Sequence, residues 1–468
     1  MRYVSTRAHG NQGAPDLGFD DVLLAGLATD GGLYLPATWP RFSPAEIKAL
    51  AGLDYAALAE RIMAPFMQGS VLAPHLGAIC REAYGRFSHP AVAPLRQLGP
   101  NEWIMELFCG PTLAFKDYAL QVVGLMFERL LAVRGSHITI VGATSGDTGS
   151  AAIEATRGRK GIDICILHPA GRTSDVQRRQ MTTVDAPNVH NVALEGTFDD
   201  CQNIVKALFA DAKFREQANL SAVNSINWAR IMAQVVYYFW AAVNLGAPDR
   251  SVAFVVPTGN FGNVFAGFVA SRMGLPVTKF VVGSNTNDIL TRYFETGSMT
   301  AAGVQPTLSP SMDIQISSNF ERLLFDMGGR DPVAVERAMA QFKQSGSYAV
   351  EAKHHQAMTA LFTGSRLDDA GTLKTIGEVF RTTGELIDPH TAVGVAAMRA
   401  ADLPRHVPRI ALATAHPAKF PDAVEKATGQ RPALPPALAN LFSLPERFTK
   451  LPNDLDQVKR FLKDTVIS

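Results

Sequence analysis

The 468-residue sequence has few cysteines, almost no excess charge and no long hydrophobic run. Its four cysteines, at positions 80, 109, 165 and 201, are widely spaced and form no Cys-x-x-Cys pair or Cys/His cluster. This spacing argues against a zinc site or a disulfide framework and fits a reducing cytosol. Because 44 basic residues balance 43 acidic ones, the charge predicts neither a nucleic-acid partner nor an anionic membrane partner.

The sequence also lacks the segments that direct a chain into or across a membrane. The N-terminal residues include no apolar stretch of the signal-peptide type. The most apolar stretch, 231–247, contains Gln234 and Asn244 and is too short for a bilayer span, so we expect a buried helix there. With 47% hydrophobic and 19% charged residues, the composition predicts a compact, soluble, cytoplasmic protein of two or three domains.

From about residue 100 onward, short apolar segments alternate with helical ones. Near-continuous apolar strands separated by helices are typical of a parallel sheet covered on both faces, so the pattern predicts an α/β fold. Residues 16–85 and 319–400 are predicted to be mainly helical, and a Pro-rich connection at 431–436 leads to a short helical tail. The strands are predicted at 103–107, 137–142, 162–167, 189–194, 252–256, 280–283 and 409–413.

Residues 111–117, Pro-Thr-Leu-Ala-Phe-Lys-Asp, contain a lysine in an apolar turn. Lys116 leads into the amphipathic run 118–131, so it is expected near a helix N-terminus, where the dipole disfavours an ammonium ion. Partial burial would also favour the neutral amine. A neutral lysine attacks aldehydes, which is how enzymes usually hold pyridoxal phosphate as a Schiff base. For this segment alone, a lysine that reaches water from a helix end is the simpler interpretation.

Ligands of open α/β sheets bind at the carboxyl ends of the strands, and three predicted strands end in unusual loops. The strand 137–142 is followed by Ala-Thr-Ser-Gly-Asp-Thr-Gly-Ser at 143–150. Hydroxyls and glycines that open a helix offer hydrogen-bond donors to a carboxylate or phosphate. The alternative is a simple helix cap by Ser145 or Asp147, which needs only one such residue.

The other two loops follow the strands 252–256 and 409–413. Pro-Thr-Gly-Asn-Phe-Gly-Asn at 257–263 would let the backbone approach a phosphate. It lacks a P-loop lysine and the dinucleotide spacing, so neither ATP nor NAD is favoured, and an ordinary turn is an equal alternative. In 414–420, Thr414 could present its hydroxyl to a ring nitrogen, and His416 is either catalytic or a loop cap.

The order of these motifs along the chain is specific. A lysine, a Ser/Thr/Gly loop some thirty residues later, a Gly-Asn loop and a late threonine resemble the fold-type II pyridoxal-phosphate enzymes. Within them, the chain resembles the threonine synthases of the long bacterial and fungal type. The matching segments span nearly the whole sequence and are 29–36, 108–117, 143–149, 257–263, 317–322, 388–391 and 414–420.

The resemblance implies a cofactor, pyridoxal 5'-phosphate, and a role for each loop. Lys116 would form the Schiff base and, once released, remove the α-proton of the substrate. Thr414 would face the pyridine nitrogen, and a neutral hydroxyl there fits elimination better than transamination. The cofactor phosphate would be held by the backbone amides of Gly259, Asn260, Phe261, Gly262 and Asn263. The substrate carboxylate would be bound by the loop residues Thr144, Ser145, Gly146, Asp147 and Thr148.

The resemblance is less specific about which residues would bind the substrate phosphate. Asn319 and Arg322 are candidates because an arginine fork suits a phosphate, and a helix cap is the alternative. The motif 388–391, Asp-Pro-His-Thr, matches the family without an assignable chemical role.

The implied reaction converts O-phospho-L-homoserine and water to L-threonine and phosphate by γ-elimination and β-hydration, a lyase step of threonine biosynthesis. Alternatives on the same fold are a phospho-lyase that releases 2-oxobutyrate and a serine/threonine dehydratase. A non-catalytic binding protein is disfavoured by the presence of Lys116. The expected partner is the small-molecule substrate, and the chain is expected to be a monomer or homodimer. No metal is expected.

The resemblance also implies a fold-type II architecture with two parallel-sheet α/β domains. We expect an N-terminal helical segment (1–98), a smaller α/β domain with the lysine and substrate loop (99–220), a larger cofactor-binding domain (221–430) and a C-terminal helical tail (431–468).

Overall fold

The computed structural model describes residues 1–9, 13–222 and 225–466. Its strands are β1 (Tyr3–Ser5), β2 (Tyr34–Pro36), β3 (Leu95–Gly99), β4 (Glu102–Glu106), β5 (Ile138–Ala143), β6 (Ile162–Pro169), β7 (Val189–Glu195), β8 (Leu220–Ser221), β9 (Val252–Pro257), β10 (Val277–Ser284), β11 (Ser298–Thr300), β12 (Ser347–Ala349), β13 (Phe362–Arg366), β14 (Arg409–Ala413) and β15 (Thr449–Pro452).

The α-helices are α1 (Phe19–Ala25), α2 (Pro44–Lys48), α3 (Tyr55–Met63), α4 (Leu76–Tyr84), α5 (Lys116–Arg134), α6 (Asp147–Thr156), α7 (Asp175–Thr182), α8 (Phe198–Ala210), α9 (Ala212–Gln217), α10 (Trp228–Asn244), α11 (Gly262–Arg272), α12 (Ile289–Thr296), α13 (Phe320–Met327), α14 (Pro332–Ser345), α15 (Ala352–Leu361), α16 (Asp369–Thr383), α17 (Pro389–Ala400), α18 (Pro421–Thr428) and α19 (Leu455–Phe461). Short 3₁₀ helices include Pro310–Met312 and Pro417–Lys419.

Two mostly parallel sheets organise the molecule, as the alternating pattern predicts. The larger sheet has the strand order β13-β10-β9-β14-β4-β3, in which only β3 is antiparallel to its neighbour. The smaller sheet has the order β15-β7-β6-β5-β8 and is parallel throughout. The α/β fold class with two parallel-sheet units is therefore confirmed.

Helices cover both faces of each sheet, which explains why the central strands are apolar on both sides. Every residue of β9 is buried. In the larger sheet, α11 packs on one face and α17 on the other; in the smaller sheet, α6 and α8 do the same. Helix α5 contacts both α6 and α10, so it lies between the two sheets. Its first residue, Lys116, reaches to within 3.7 Å of Asp147 in α6.

Several edge elements differ from the sequence prediction. The region 319–400 is not wholly helical, because β12 and the edge strand β13 lie within it. The tail is not only helical either, because β15 adds an edge strand to the smaller sheet. Strand β4, which the predicted bounds assign to the smaller domain, pairs with β14 in the larger sheet. The division into domains stays a prediction.

The tail also packs along α7. The Arg178 side chain donates to Glu446 at 2.8 Å, and Arg447 pairs with Asp185, with Nη2 at 2.8 Å from Oδ2. These contacts tie residues near the end of the chain to the smaller sheet. No helix in the described ranges has the length and apolar character needed to cross a bilayer.

Candidate active site

The lysine turn and two of the three loops that the sequence singles out, those after β9 and β14, lie at one edge of the larger sheet. Strands β4, β14 and β9 are parallel neighbours, so the segments that follow them lie side by side. The Phe115 N–H donates to the Thr414 carbonyl at 2.9 Å, and the His416 N–H donates to the Leu113 carbonyl at 3.0 Å. The lysine turn and the loop after β14 are thus joined by the backbone, immediately before Lys116.

The turn before Lys116 is fixed by Asp117. The buried carboxylate of Asp117 accepts hydrogen bonds from the Thr112 N–H at 2.8 Å and from its hydroxyl at 2.7 Å. A Cβ on Gly110 would lie 2.5 Å from the Asp117 side chain, and Leu113 has a φ of +62°, which is unusual for a residue with a side chain. Burial raises the pKa of Asp117 to about 6, against the hydrogen bonds from Thr112, which lower it. This tight turn fixes the point at which α5 begins.

Lys116 is the first residue of α5 and is nearly buried. Burial lowers the pKa of Lys116 to about 8, although Asp147 opposes the shift; the positive charges of Lys419 and Arg230 lower it further. The helix N-terminus acts in the same direction as burial. Lys116 therefore has the environment that the sequence predicts for a reactive amine.

The carboxylate nearest to Lys116 belongs to Asp147, at the start of α6. Asp147 Oδ2 lies 3.7 Å from Lys116 Nζ, and Oδ1 lies 2.8 Å from the Nζ of the fully buried Lys419. Gln177 donates to Oδ1 at 2.8 Å. Burial alone would raise the pKa of Asp147, but Lys419 and Lys116 hold it well below its ordinary value. Asp147 is therefore an anion between two amines.

The rest of the loop 144–148 is built around backbone donors. The Thr144 hydroxyl accepts from the N–H groups of Gly146 and Gly149, at 3.0 and 2.9 Å. Gly146 has a φ of +148°, and a Cβ there would lie 2.5 Å from the Gln177 side chain, so this position requires glycine. Ser145 and Thr148 are only half-buried and remain the hydroxyls predicted to contact a ligand.

The loop after β9 presents a row of backbone donors. In the described part of the chain, no acceptor takes the N–H groups of Gly259, Asn260, Phe261, Gly262 and Asn263, whereas the flanking Thr258 and Phe265 N–H groups donate to carbonyls. Phe261 has the left-handed φ of +59° just before α11, a conformation that costs energy and is common at ligand sites. Unpaired N–H groups at a helix N-terminus favour an anion such as phosphate.

Asn319 and Arg322 lie behind this loop rather than in front of it. Asn319 is buried and donates through its side chain to the Asn260 carbonyl at 3.1 Å. Arg322 is fully buried and donates to the carbonyls of Tyr34 (3.0 and 2.8 Å) and Ile226 (2.6 Å) and to the Asn319 side chain. These contacts favour a supporting role for both residues, because the Arg322 fork is already used within the protein.

Thr414 and His416 differ in their surroundings. No hydrogen bond is made by the Thr414 hydroxyl to any described residue, so it is free to meet a ligand at the end of β14. The His416 ring instead accepts from the Ala418 N–H at 3.1 Å and caps the turn, which confirms the capping alternative. Burial lowers the pKa of His416 to about 4.

The structure adds a residue that the sequence reasoning passed over, Arg230. It is 3% exposed, and within the described ranges its Nε and Nη1 are buried without a hydrogen-bond partner. It lies in the first turn of α10, where a cation is unfavourable, and its charge lowers the pKa of Lys116. An arginine at the wrong end of an otherwise apolar helix was the available signal. Lys419, Gln177 and Ser311 had no such signal, because only tertiary contacts bring them to Asp147.

These features fit pyridoxal 5'-phosphate. The cofactor needs an amine to bind its aldehyde, donors to bind its phosphate and a partner for its ring nitrogen. Lys116 is the amine, and the Thr414 hydroxyl is the partner for the nitrogen. The donors are the N–H groups at 259–263, which we call the phosphate cradle. An added Cβ on Gly259 would lie 2.7 Å from the Ser311 carbonyl oxygen, so the cradle is narrow and needs glycine. The Ser311 hydroxyl in turn donates to Asp147 at 3.4 Å, which connects the cradle to the lysine.

Known protein families match this chain along almost its whole length. Three family models match: "Threonine synthase N terminus" over residues 2–84, "Pyridoxal-phosphate dependent enzyme" over 88–411 and "Threonine synthase, C-terminal" over 391–462. A threonine synthase from Pseudomonas aeruginosa is 56% identical over 463 residues, which cover 99% of this chain and 98% of that protein.

Two solved structures share the fold closely. The crystal structure of threonine synthase with bound pyridoxal phosphate from Brucella melitensis superposes with a TM-score of 0.97 at 52% identity and covers 100% of both chains. Threonine synthase from yeast superposes with a TM-score of 0.94 at 39% identity, covering 99% of this chain and 98% of that one.

Proposed function

The chain belongs to the threonine synthase family of pyridoxal-phosphate-dependent enzymes, and on that premise we propose that it converts O-phospho-L-homoserine and water to L-threonine and phosphate. The observation that carries the proposal is the meeting of the nearly buried Lys116 with two separate groups of donors that can bind an anion. These are the backbone N–H groups at 259–263 and the guanidinium of Arg230, whose Nε and Nη1, like those N–H groups, have no hydrogen-bond partner within the described ranges. A cofactor and a substrate that each carry a phosphate would use both.

Bound pyridoxal phosphate supplies an electron sink for the charge that develops when the α-proton of an amino acid is removed. The N–H groups from Gly259 to Asn263 would bind its phosphate, with the positive end of α11 behind them. The neutral Thr414 hydroxyl would orient the ring nitrogen without forcing it to carry a proton.

Lys116 is proposed to hold the cofactor and then to act as the base. A pKa of about 8 leaves a useful fraction of neutral amine near pH 7, so Nζ can accept the substrate α-proton. Asp147, 3.7 Å from Nζ, would stabilise the ammonium ion that results. Positioned proton transfer of this kind contributes roughly 10²–10⁴-fold to a rate.

Arg230 is proposed to bind the substrate phosphate, and the backbone N–H groups and free hydroxyls of the loop 144–148, but not the Asp147 carboxylate, to bind the substrate carboxylate. A buried guanidinium without a partner is costly, and a phosphate that accepts two of its N–H groups removes that cost. When the γ-phosphate leaves, the same charge would stabilise it. Asn319 and Arg322 would act indirectly, by fixing the loop 259–263 from behind.

Several further properties stay proposals. We expect a cytoplasmic protein that acts as a monomer or homodimer without a nucleic-acid partner. The nearly balanced charge and four buried, free thiols support this expectation.

The test is incubation of the purified holoenzyme with O-phospho-L-homoserine while phosphate and the organic product are followed together. Equimolar phosphate and threonine are expected. Phosphate with 2-oxobutyrate and ammonia would mean that the enzyme is a phospho-lyase, and no phosphate release would contradict both reactions.

Replacing Gly259 with alanine should weaken cofactor binding, because the added Cβ would lie 2.7 Å from the Ser311 carbonyl. Overpacking costs about 1–3 kcal/mol, so the Kd for pyridoxal phosphate should rise roughly tenfold to a hundredfold. The matched control is Gly303→Ala, which is exposed and has no atom within 4 Å of the new Cβ. Equal affinity of the two variants for pyridoxal phosphate would contradict the assignment of the loop 259–263 as the phosphate-binding site.

A further inference from the structure

A second lysine, Lys419, competes with Lys116 for the same carboxylate. It belongs to the 3₁₀ turn Pro417–Lys419 and its side chain is fully buried. Lys419 Nζ lies 2.8 Å from Asp147 Oδ1 and donates to the Thr112 carbonyl at 2.7 Å. Lys116 Nζ, by contrast, is 3.7 Å from Oδ2. The shorter ion pair of Asp147 is therefore with Lys419.

The other contacts of Asp147 also favour its pairing with Lys419 rather than with Lys116. Gln177 donates to Oδ1, the oxygen that Lys419 also contacts, at 2.8 Å; Ser311 makes only a long 3.4 Å hydrogen bond to Oδ2. The Lys419 N–H donates to the His416 carbonyl at 3.0 Å, which fixes its backbone in the turn, and the Ser174 hydroxyl makes a long hydrogen bond of 3.4 Å to the Lys419 carbonyl. Both Ser174 and Gln177 belong to the start of α7, so the smaller sheet's layer fixes the pair.

We propose that Lys419 is a positioning residue that takes Asp147 as its own counterion and so leaves Lys116 as a free amine. The inference rests on the proposed function, since a free amine matters only if Lys116 holds the cofactor and moves a proton. No chemical step is assigned to Lys419 itself.

The charges around Lys116 support this role. Those that act on Lys116 are Asp147 from α6, Lys419 from the 3₁₀ turn and Arg230 from α10. If Asp147 were paired with Lys116 alone, the attraction would favour the ammonium form. Because a second ammonium ion neutralises Asp147 and also repels Lys116, the neutral amine is favoured.

The same arrangement helps Lys116 to give its proton back. Once Nζ is protonated, two lysine ammonium ions and the Arg230 guanidinium face one carboxylate. The proton is then held loosely enough to return to the substrate at the end of the reaction, which a tightly paired ammonium ion would resist.

The experiment measures the protonation of Lys116 directly in the apoprotein. Competitive acetylation with trace acetic anhydride at a series of pH values, read by mass spectrometry of the Lys116 peptide, gives the pH at which the amine becomes reactive. The wild-type midpoint is expected near pH 8. In Lys419→Met the midpoint should rise by about one pH unit or more, so that acetylation at pH 7 falls about tenfold.

Two further variants distinguish a specific effect on the Lys116 amine from a general loss of structure. Lys419→Arg keeps the charge and should keep a midpoint close to that of the wild type. Asp147→Asn removes the carboxylate and should shift the midpoint downward, opposite to Lys419→Met. In the holoenzyme, the rising limb of the kcat–pH profile should move upward in Lys419→Met and return in Lys419→Arg.

Each outcome decides the matter. A folded Lys419→Met with the wild-type midpoint overturns the proposal, even if turnover is lost. If Lys419→Met does not fold, Lys419→Gln takes its place: the same rise in the midpoint is expected, and an unchanged midpoint overturns the proposal. A midpoint that moves as expected in a protein that makes no threonine would contradict the proposed function and leave the positioning role standing.

Discussion

Lys116→Ala is expected to abolish measurable conversion of O-phospho-L-homoserine, with kcat reduced at least about 10²–10⁴-fold from the loss of proton transfer alone. The loss should exceed that range, because the covalent attachment of the cofactor disappears as well. The measurement is phosphate release by the cofactor-saturated variant. Borohydride reduction followed by mass spectrometry should find pyridoxal phosphate attached at Lys116 in the wild type and absent in the variant.

The variant should remain folded, because it removes a nearly buried amine that burial disfavours. Lys353→Ala is the matched control, since that side chain is 72% exposed and should change neither turnover nor attachment. A Lys116→Ala protein that kept full turnover would disprove the catalytic assignment.

Arg230→Met is expected to lower the activity of the enzyme without lowering the free energy of unfolding of the apoprotein. Loss of two charge-assisted hydrogen bonds to the substrate phosphate, each worth about 1.5–3 kcal/mol, should lower kcat/KM roughly 10²–10⁴-fold. Inhibition by inorganic phosphate should weaken in parallel. The apoprotein should nevertheless unfold at the same or a higher denaturant concentration. Its stability should rise by about 0–4 kcal/mol, because methionine replaces a buried guanidinium whose Nε and Nη1 have no hydrogen-bond partner among the described residues.

Arg322→Met provides the contrast. Arg322 is just as buried, but its donors bind the Tyr34 and Ile226 carbonyls and the Asn319 side chain. Its replacement should destabilise the protein by about 1–3 kcal/mol for each buried acceptor left without a donor. If Arg230→Met were the less stable of the two and still bound substrate normally, Arg230 would be a structural residue.

The sequence predicts the fold where the signal is local. Strand β9 is apolar throughout and β14 is apolar after Arg409, and the predicted bounds of both agree with the structure within a residue or two. Edge strands carry no such pattern: β13 reads Phe-Thr-Gly-Ser-Arg, and β15 ends in a proline. Both become strands only because a neighbouring strand is there to pair with them. The sheet to which β4 belongs likewise depends on a partner far along the chain, because residues 102–106 pair with residues 409–413.

In the site, too, the residues with a local signal could be predicted and those placed by tertiary contacts could not. Lys116 could be predicted because a turn, a helix start and a motif coincide within a few residues. The polar ring around it could not, because Lys419, Gln177 and Ser311 reach Asp147 from three distant parts of the chain. Arg322 illustrates the reverse: its residue type suggests a phosphate ligand, but its donors bind the Tyr34 and Ile226 carbonyls and the side chain of Asn319. Arg322 supports the loop 259–263 only through Asn319, which donates to the Asn260 carbonyl.

The tail contacts have a consequence for synthesis. Strand β15 and Glu446 complete the smaller sheet and brace α7, the helix whose Gln177 contacts Asp147. During translation, every residue of the site is therefore made before the segment that holds α7 in place. Until Glu446 and β15 have been made and have left the ribosome, α7 lacks these contacts, so we expect the surroundings of Asp147 and Lys116 to become ordered late in synthesis.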